Sequence, residues 1–378
     1  MGFALFRDDL SGRELFFAEP QEVLAPDTPD AFARDLERAE EARRSGKWIA
    51  GYFSYESGFL LDPALHTHLP ENRRVPFFVL GIFSGPVEPP AMPAPLTDPI
   101  TDTEALWSFD DYRLRFERLH RHLAEGDCYQ ANLTFPVSAR WHGDPLAGFA
   151  GLQARQPVRH AALIDLGQGP TVLSRSPELF FRIDREGWIE ARPMKGTTPR
   201  GKTPAQDEAF RRFLQEDEKS QAENRMIVDL LRNDIALLSE TGTLHVPELF
   251  TVETYPTVHQ MVSRVRAKLL PDRSLGEIFA ALFPCGSVTG APKISAMQIL
   301  RKLENRPRDV YCGAIGWAAP DGTMSFNVAI RTLTLFKGGE AVFNVGGGIV
   351  FDSTAPAEYA EALLKARFAT GSEPRPPN

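Results

Sequence analysis

Glu190-Ala-Arg-Pro-Met-Lys195-Gly-Thr-Thr-Pro-Arg200-Gly201 decides how the rest of the chain is read. A strand-like run, Trp188 to Met194, leads into Lys195, and helical periodicity begins after Pro204. Two readings compete. Gly196 to Thr203 (GTTPRGKT) has the spacing of a phosphate loop, G-x-x-x-x-G-K-[ST], in which backbone N–H groups and Lys202 would cradle a nucleotide. In the other reading Lys195 is the reactive group and Lys202 lies on the surface. Pro199 removes an N–H that a phosphate cradle needs, and Pro204, Asp207 and Glu208 follow closely. The phosphate-loop spelling therefore reads as a coincidence of turn residues.

On the N-terminal side, Asp30 to Arg44 has apolar Phe32, Leu36 and Ala39 at helical spacing, stopped by Ser45-Gly46. Trp48 to Tyr55 and Phe77 to Phe83 suit buried strands. Six prolines between Gly85 and Pro99 predict an extended connector, because proline fixes φ and removes ladder donors. The expected organisation is an N-terminal segment 1–85, a connector 86–106, a main domain 107–370 and a frayed tail 371–378.

Ser108-Phe-Asp-Asp111 spells a capping box for a helix ending at Gly126. Strands are expected at Cys128–Phe135, Val158–Leu166, Thr171–Ser174 and Leu179–Ile183. Beyond the opening stretch, helices are expected at Ala205–Gln215 and Ser220–Leu238, then a strand at Val258–Leu269. Helices at Leu275–Leu282 and Lys293–Lys302 flank the glycine-rich Cys285 to Lys293. Strands at Tyr311–Ala318, Met324–Phe336 and Ala341–Val345 lead to a turn at Gly346-Gly347-Gly348 and a closing helix, Ala355–Phe368. Mixed runs without regular βαβ alternation indicate an α+β fold.

Lys and Arg total 42 against 50 Asp and Glu, a net charge of −8, and no basic run suggests a nucleic-acid footprint. An acidic chain that takes an anionic ligand needs local donors or a metal. The three cysteines form no C-x-x-C pair, which argues for a reducing compartment and against zinc. No leader or membrane-spanning run is evident in the sequence, so the cytoplasm is the expected location.

Three constellations carry chemistry. Glu223 on one helix and Glu358 and Glu361 on another would make a hard-oxygen site suited to Mg²⁺, or else solvated helix faces. Arg331, inside an apolar run, suggests either a bound carboxylate or an internal ion pair. The loops Thr289-Gly290-Ala291-Pro292-Lys293 and Gly346-Gly347-Gly348 offer backbone N–H groups for an anion.

Taken in order, several motifs resemble those of the chorismate-utilising enzymes. They are Pro193-Met-Lys-Gly-Thr197, Ala222-Glu-Asn-Arg-Met-Ile-Val-Asp229, Val258-His-Gln-Met-Val-Ser263, Phe283-Pro-Cys-Gly-Ser-Val-Thr-Gly-Ala-Pro-Lys293, Ile330-Arg-Thr332, Gly346-Gly-Gly-Ile-Val350 and Ala357-Glu-Tyr-Ala-Glu361. The resemblance runs from about residue 107 to 368, and residues 1–85 match only loosely. It implies antiparallel sheets packed with outer helices and, because of Lys195, the branch that aminates chorismate at C4 for para-aminobenzoate and folate synthesis. Anthranilate synthases carry alanine at that position; they and the isochorismate or salicylate synthases are the alternatives. The resemblance further implies Lys195 as nucleophile, Glu178 as general acid, and His259 and Thr289 beside the ring. Arg331, Tyr311, Lys293, Gly290, Gly347 and Gly348 would bind substrate, and Glu223, Glu358 and Glu361 would hold Mg²⁺. Ammonia is expected from a separate glutamine amidotransferase subunit. Ser220 stands where many relatives have an acid, and Trp317 where tyrosine is common.

Overall fold

The computed structural model of the protein describes residues 2–255 and 258–377; Met1 and Asn378, the outer ends of the expected first and last segments, lie outside them. Among the described residues are a nine-stranded and a ten-stranded sheet whose ladders run antiparallel. The first runs Gly290–Ala291, Gln130–Trp141, Glu340–Ile349, Thr332–Leu335, Thr171–Ser176, His160–Asp165, Phe3–Asp8, Arg13–Ala18, with Ile100–Ala105 also on Gln130–Trp141. The second runs Met194–Pro199, Val258–Lys268, Trp188–Arg192, Leu179–Ile183, Met324–Val328, Ala314–Ala318, Trp48–Phe53, Phe78–Phe83, Glu22–Leu24, with His245–Thr254 also on Val258–Lys268.

Alternation along the strands buries one face of each sheet against the other: Ala4, Phe17 and Ile164 of the first join Ala50, Tyr52 and Ile315 of the second in one apolar cluster. Helices cover the outer faces. Tyr112, Phe116, Leu300 and Ala362 pack from Phe109–Glu125, Lys293–Glu304 and Ala355–Thr370 onto the first sheet. Phe32, Leu36, Ile227 and Ile278 do the same on the second from Pro29–Arg44, Glu218–Ala236 and Leu275–Leu282. The α+β architecture expected from the sequence is the one observed. The capping box at Ser108 and Asp111 is formed, and Gly126 closes that helix at φ 82.

Several local expectations are corrected. The connector divides the chain without dividing either sheet: Phe3–Asp8 pairs with His160–Asp165, and Trp48–Phe53 pairs with Ala314–Ala318. The run Met324–Phe336 is two strands, not one. Met324–Val328 belongs to the second sheet and Thr332–Leu335 to the first, with the chain crossing between them. Gly346, Gly347 and Gly348 do not turn; they lie within Glu340–Ile349, opposite Thr134, Leu133 and Asn132. Glycine is required there by close approach and not by a turn: a Cβ at Gly346 would stand 2.2 Å from the Leu133 carbonyl oxygen. Tyr311 precedes its strand, which begins at Ala314. The helix Pro145–Arg155 and the strand His245–Thr254 carry too weak a periodicity to be read from sequence. The tail expected to fray is tied by Arg375, whose N–H donates to Thr103 O and whose carbonyl accepts from Ala105 N, both at 2.9 Å.

Candidate active site

The opening stretch is a strand with a fault in it. Met194–Pro199 pairs with Val258–Lys268, but the register slips between Met194 and Thr197. Gly196 takes φ 83 in the slip, a left-handed conformation that favours glycine. A Cβ there would also lie 2.6 Å from Ser220 Oγ, so this bulge admits glycine alone without displacement. Lys195 sits in the bulge rather than at a strand mouth. Its side chain has no hydrogen-bond or ion-pair partner among the described residues. A Cβ on Gly348, in the opposite sheet, would be 3.0 Å from Lys195 Nζ. Burial lowers the Lys195 pKa and the charge of Lys365 assists, while Glu223, Glu178 and Glu361 oppose the shift.

The two sheet crossings bring further groups together. Thr171–Ser176 lies in the first sheet and Leu179–Ile183 in the second, so Glu178 stands where the chain crosses. Arg331 stands at the return crossing, at φ 49. The crossings are stitched: Ser176 Oγ donates to Val328 O at 2.6 Å, and Val328 N donates to Glu178 O at 3.1 Å. Burial pushes the Glu178 carboxyl up to about 7, against the opposing effects of Ser287 and Lys195. Its Oε1 is buried without a partner. Arg331 forms no ion pair or side-chain hydrogen bond among the described residues, and desolvation lowers its pKa. The internal-ion-pair reading of Arg331 is thereby removed.

Gln130 completes this group, and sequence reading missed it. Both its amide atoms are buried and unpartnered, and Nε2 is 2.7 Å from where a Gly348 Cβ would be. Its signal was the alternation of Gln130, Asn132 and Thr134 with Ala131, Leu133 and Phe135, which sets three polar residues on one face of a strand. Tyr311 is buried beside Cys312, and burial raises its pKa well above the ordinary value. Gly290 pairs with Ala131, where a Cβ would meet Gln130 O at 2.2 Å. Thr289 is fully buried, its hydroxyl donating to Cys285 O at 3.1 Å.

Two expected residues are committed elsewhere. Lys293 Nζ donates to Asp234 Oδ2 at 2.7 Å and to Leu282 O at 2.9 Å, which ties two helices. The His259 ring lies between Asp207 Oδ1 and Thr254 Oγ1, each at 3.0 Å. Asp207 also accepts from Arg200 Nε at 2.8 Å and Gly201 N at 2.7 Å, and Lys202 N donates to Gln206 Oε1 at 2.9 Å. The N–H groups of the phosphate-loop spelling are thus engaged by side chains of the following helix, and Lys202 is exposed.

The acidic residues line the cleft on two helices. Ser353 Oγ donates to Glu358 Oε1 at 2.7 Å, and burial with the Glu361 charge raises the Glu358 pKa. Burial acts upward on Glu361 too, but Lys365, 2.9 Å away, and the lysines Lys195 and Lys219 leave it lowered. Lys219 Nζ is 3.9 Å from Glu223. This is an all-oxygen donor set with internal repulsion, and Gly347 leaves open space where a Cβ would be 3.2 Å from Glu358 Oε2. It fits a divalent cation by charge and ligand type. The three carboxylates do not converge within 4.8 Å, so closing on an ion requires Lys219 and Lys365 to give way; among the described residues that spacing is met by His122, Glu125 and Asp127. A cavity of about 820 Å³ lies elsewhere, between Phe32, Leu36, Leu60 and Gly276. No helix among the described residues is long and apolar enough to cross a membrane.

The sequence and fold match known proteins. Residues 81–371 match the family described as chorismate binding enzyme. The chain is 43% identical over 269 residues to an aminodeoxychorismate synthase of Streptomyces pristinaespiralis, covering 71% of this chain and 37% of the relative. It is 42% identical over 279 residues to aminodeoxychorismate synthase component 1 of Klebsiella aerogenes, covering 73% and 61% respectively. The chain therefore spans less than two thirds of the length of these relatives. Anthranilate synthase component I from Streptococcus pneumoniae TIGR4 has the same fold, with TM-score 0.81 at 24% identity over 98% of this chain and 92% of that one. With a family match over most of its length and a cleft assembled from the matching motifs, the chain belongs to the chorismate-binding enzymes.

Proposed function

We propose that the protein aminates chorismate at C4, giving 4-amino-4-deoxychorismate for para-aminobenzoate and folate synthesis. The ammonia comes from a glutamine amidotransferase partner; relatives such as that of Klebsiella aerogenes bear the name component 1, which fits a second component. The observation that carries the reading is the Lys195 amine, unpartnered among the described residues and 3.0 Å from where a Gly348 Cβ would be, in a group with the buried, unpartnered Glu178 Oε1.

The chemistry follows from the two protonation states. A lowered pKa frees the Lys195 lone pair, which attacks ring C2. The ring double bond shifts, the C4–O bond breaks, and Glu178 gives its proton to the departing hydroxyl, which leaves as water. Ammonia then adds at C4, the double bond shifts back, the C2–N bond breaks, and Lys195 leaves with the electron pair. The proton lost by the new C4 ammonium returns the site to its starting charge. Arg331 and backbone N–H groups of the Thr289–Gly290 segment hold the enolpyruvyl carboxylate, with Tyr311 beside it. Gly347 and Gly348 keep the cleft floor free of side chains. Glu223, Glu358 and Glu361 would hold Mg²⁺, which when bound supplies Lewis-acid charge at the ring carboxylate.

The test is product identification with chorismate, Mg²⁺ and ammonium, with chelator added in a parallel reaction. The expected product is 4-amino-4-deoxychorismate, lost with chelator. Anthranilate or isochorismate as the sole product would overturn the reading.

A further inference from the structure

Arg308 lies outside the reacting group, yet its guanidinium joins three separate segments of the chain. The residue is 3% exposed. Nη1 donates to Val288 O at 2.8 Å, and Nη2 donates to Asn132 O at 2.7 Å. Nε and Nη2 donate to Glu304 Oε2 and Oε1 at 2.9 and 2.7 Å. Glu304 in turn accepts from Thr134 N at 2.9 Å and Thr134 Oγ1 at 3.0 Å. The Arg308 N–H donates to Glu56 Oε1 at 2.7 Å, and the guanidinium lies 4.4 Å from the Tyr55 ring centroid.

Val288 adjoins Thr289, Asn132 is two residues from Gln130, and Asn132 N donates to Thr289 O at 2.9 Å. Tyr311 N donates back to Arg308 O at 3.2 Å. We propose that Arg308 is a positioning residue that sets the spacing of Gln130, the Thr289–Gly290 segment and Tyr311, and so the binding of chorismate. Only a planar fork of donors holds two carbonyls and a carboxylate at once; a lysine ammonium holds one or two of the three. Lys195 and Glu178 make no hydrogen bond to this fork, so its loss acts on substrate binding more than on the chemical step. The inference rests on the proposed reaction for its substrate.

The experiment has two arms. In the free protein, hydrogen exchange at the Asn132 amide should speed up at least about tenfold in Arg308→Lys, with the amides of Met261 and Val265 unchanged. Steady-state kinetics should show a KM for chorismate raised about tenfold or more and a kcat changed less than about threefold. A purely structural role lowers the active fraction, and with it kcat, and leaves KM alone. The neutral pair Arg308→Met with Glu304→Gln avoids an unpaired buried charge and is expected to show the same two changes. Unchanged Asn132 exchange, unchanged KM in both proteins, or failure of both to fold overturns the proposal. Absence of chorismate turnover in the unmodified protein sinks the proposed reaction instead, and the exchange arm still decides the positioning role.

Discussion

Arg308 is buried and Arg331 half-buried near one cleft, and they do opposite things. Arg308 donates four hydrogen bonds to a carboxylate and two carbonyls. Arg331 makes none with its side chain among the described residues. Lys293 and Lys195 repeat the contrast: the first is paired with Asp234, the second has only charges at a distance. A buried cation with partners fixes the fold. One without partners is costly to desolvate, and a site that retains it does so for a ligand or for reactivity. Residue type does not separate the two cases; the local partners do.

The contrast can be broken at its strongest point first. Lys195→Ala should reduce C4 amination on the order of 10⁴-fold or more, the scale of losing a nucleophile. Product analysis of the purified variant checks this, and amination at the original rate would remove the covalent role. Glu178→Gln, which cannot supply a proton, should cost about 10²–10⁴-fold in kcat.

The same carboxyl sets a pH limb. Its folded pKa of about 7 is raised from 4.5, so activity that needs the protonated form falls as pH rises through about 7. The folded state holds a proton that the unfolded chain has released, so this group's contribution to stability declines between pH 4.5 and about 7 and is level above. Lys195 works in the other direction: raising pH frees its amine. The product is a bell-shaped kcat/KM profile with one limb set by Glu178 at about 7.

Arg331→Met should raise the KM for chorismate about 10- to 100-fold, the loss of charge-assisted hydrogen bonds worth about 1.5–3 kcal/mol. Its melting temperature should not fall, since no protein partner is left behind. Lys293→Met is the smallest in kinetics. It should leave kcat/KM within about threefold while costing about 1–2 kcal/mol of stability in denaturant titration, because half-buried Asp234 loses its counter-charge. An inverted result, with Arg331→Met unstable and Lys293→Met unable to bind substrate, would end the distinction.

Local spelling carried much of this. Capping at Ser108 and Gly126, the periodicity of the outer helices and the glycine after Lys195 are short-range requirements, and short-range requirements are written in adjacent residues. The motifs around Lys195, Glu223, Arg331 and Glu358 pointed to the family for the same reason. Gln130 escaped because its alternation with Asn132 and Thr134 reads equally as the polar face of an ordinary strand. Lys293 and His259 were assigned to substrate because their partners, Asp234 and Asp207, lie 59 and 52 residues away in sequence.

The sequence by itself determined the α+β class, the outer helices and the residues from which a chorismate site is built. Only the tertiary structure decided which of those residues face the cleft unpartnered. It also decided that Gly346 to Gly348 form a bare strand, and that Glu178 and Arg331 stand at paired crossings between two sheets. These outcomes depend on contacts between segments far apart in sequence, from Asp207 with His259 to Thr134 with Gly346, and on crossings where sheet periodicity is interrupted. A pattern of neighbours along the chain does not encode them.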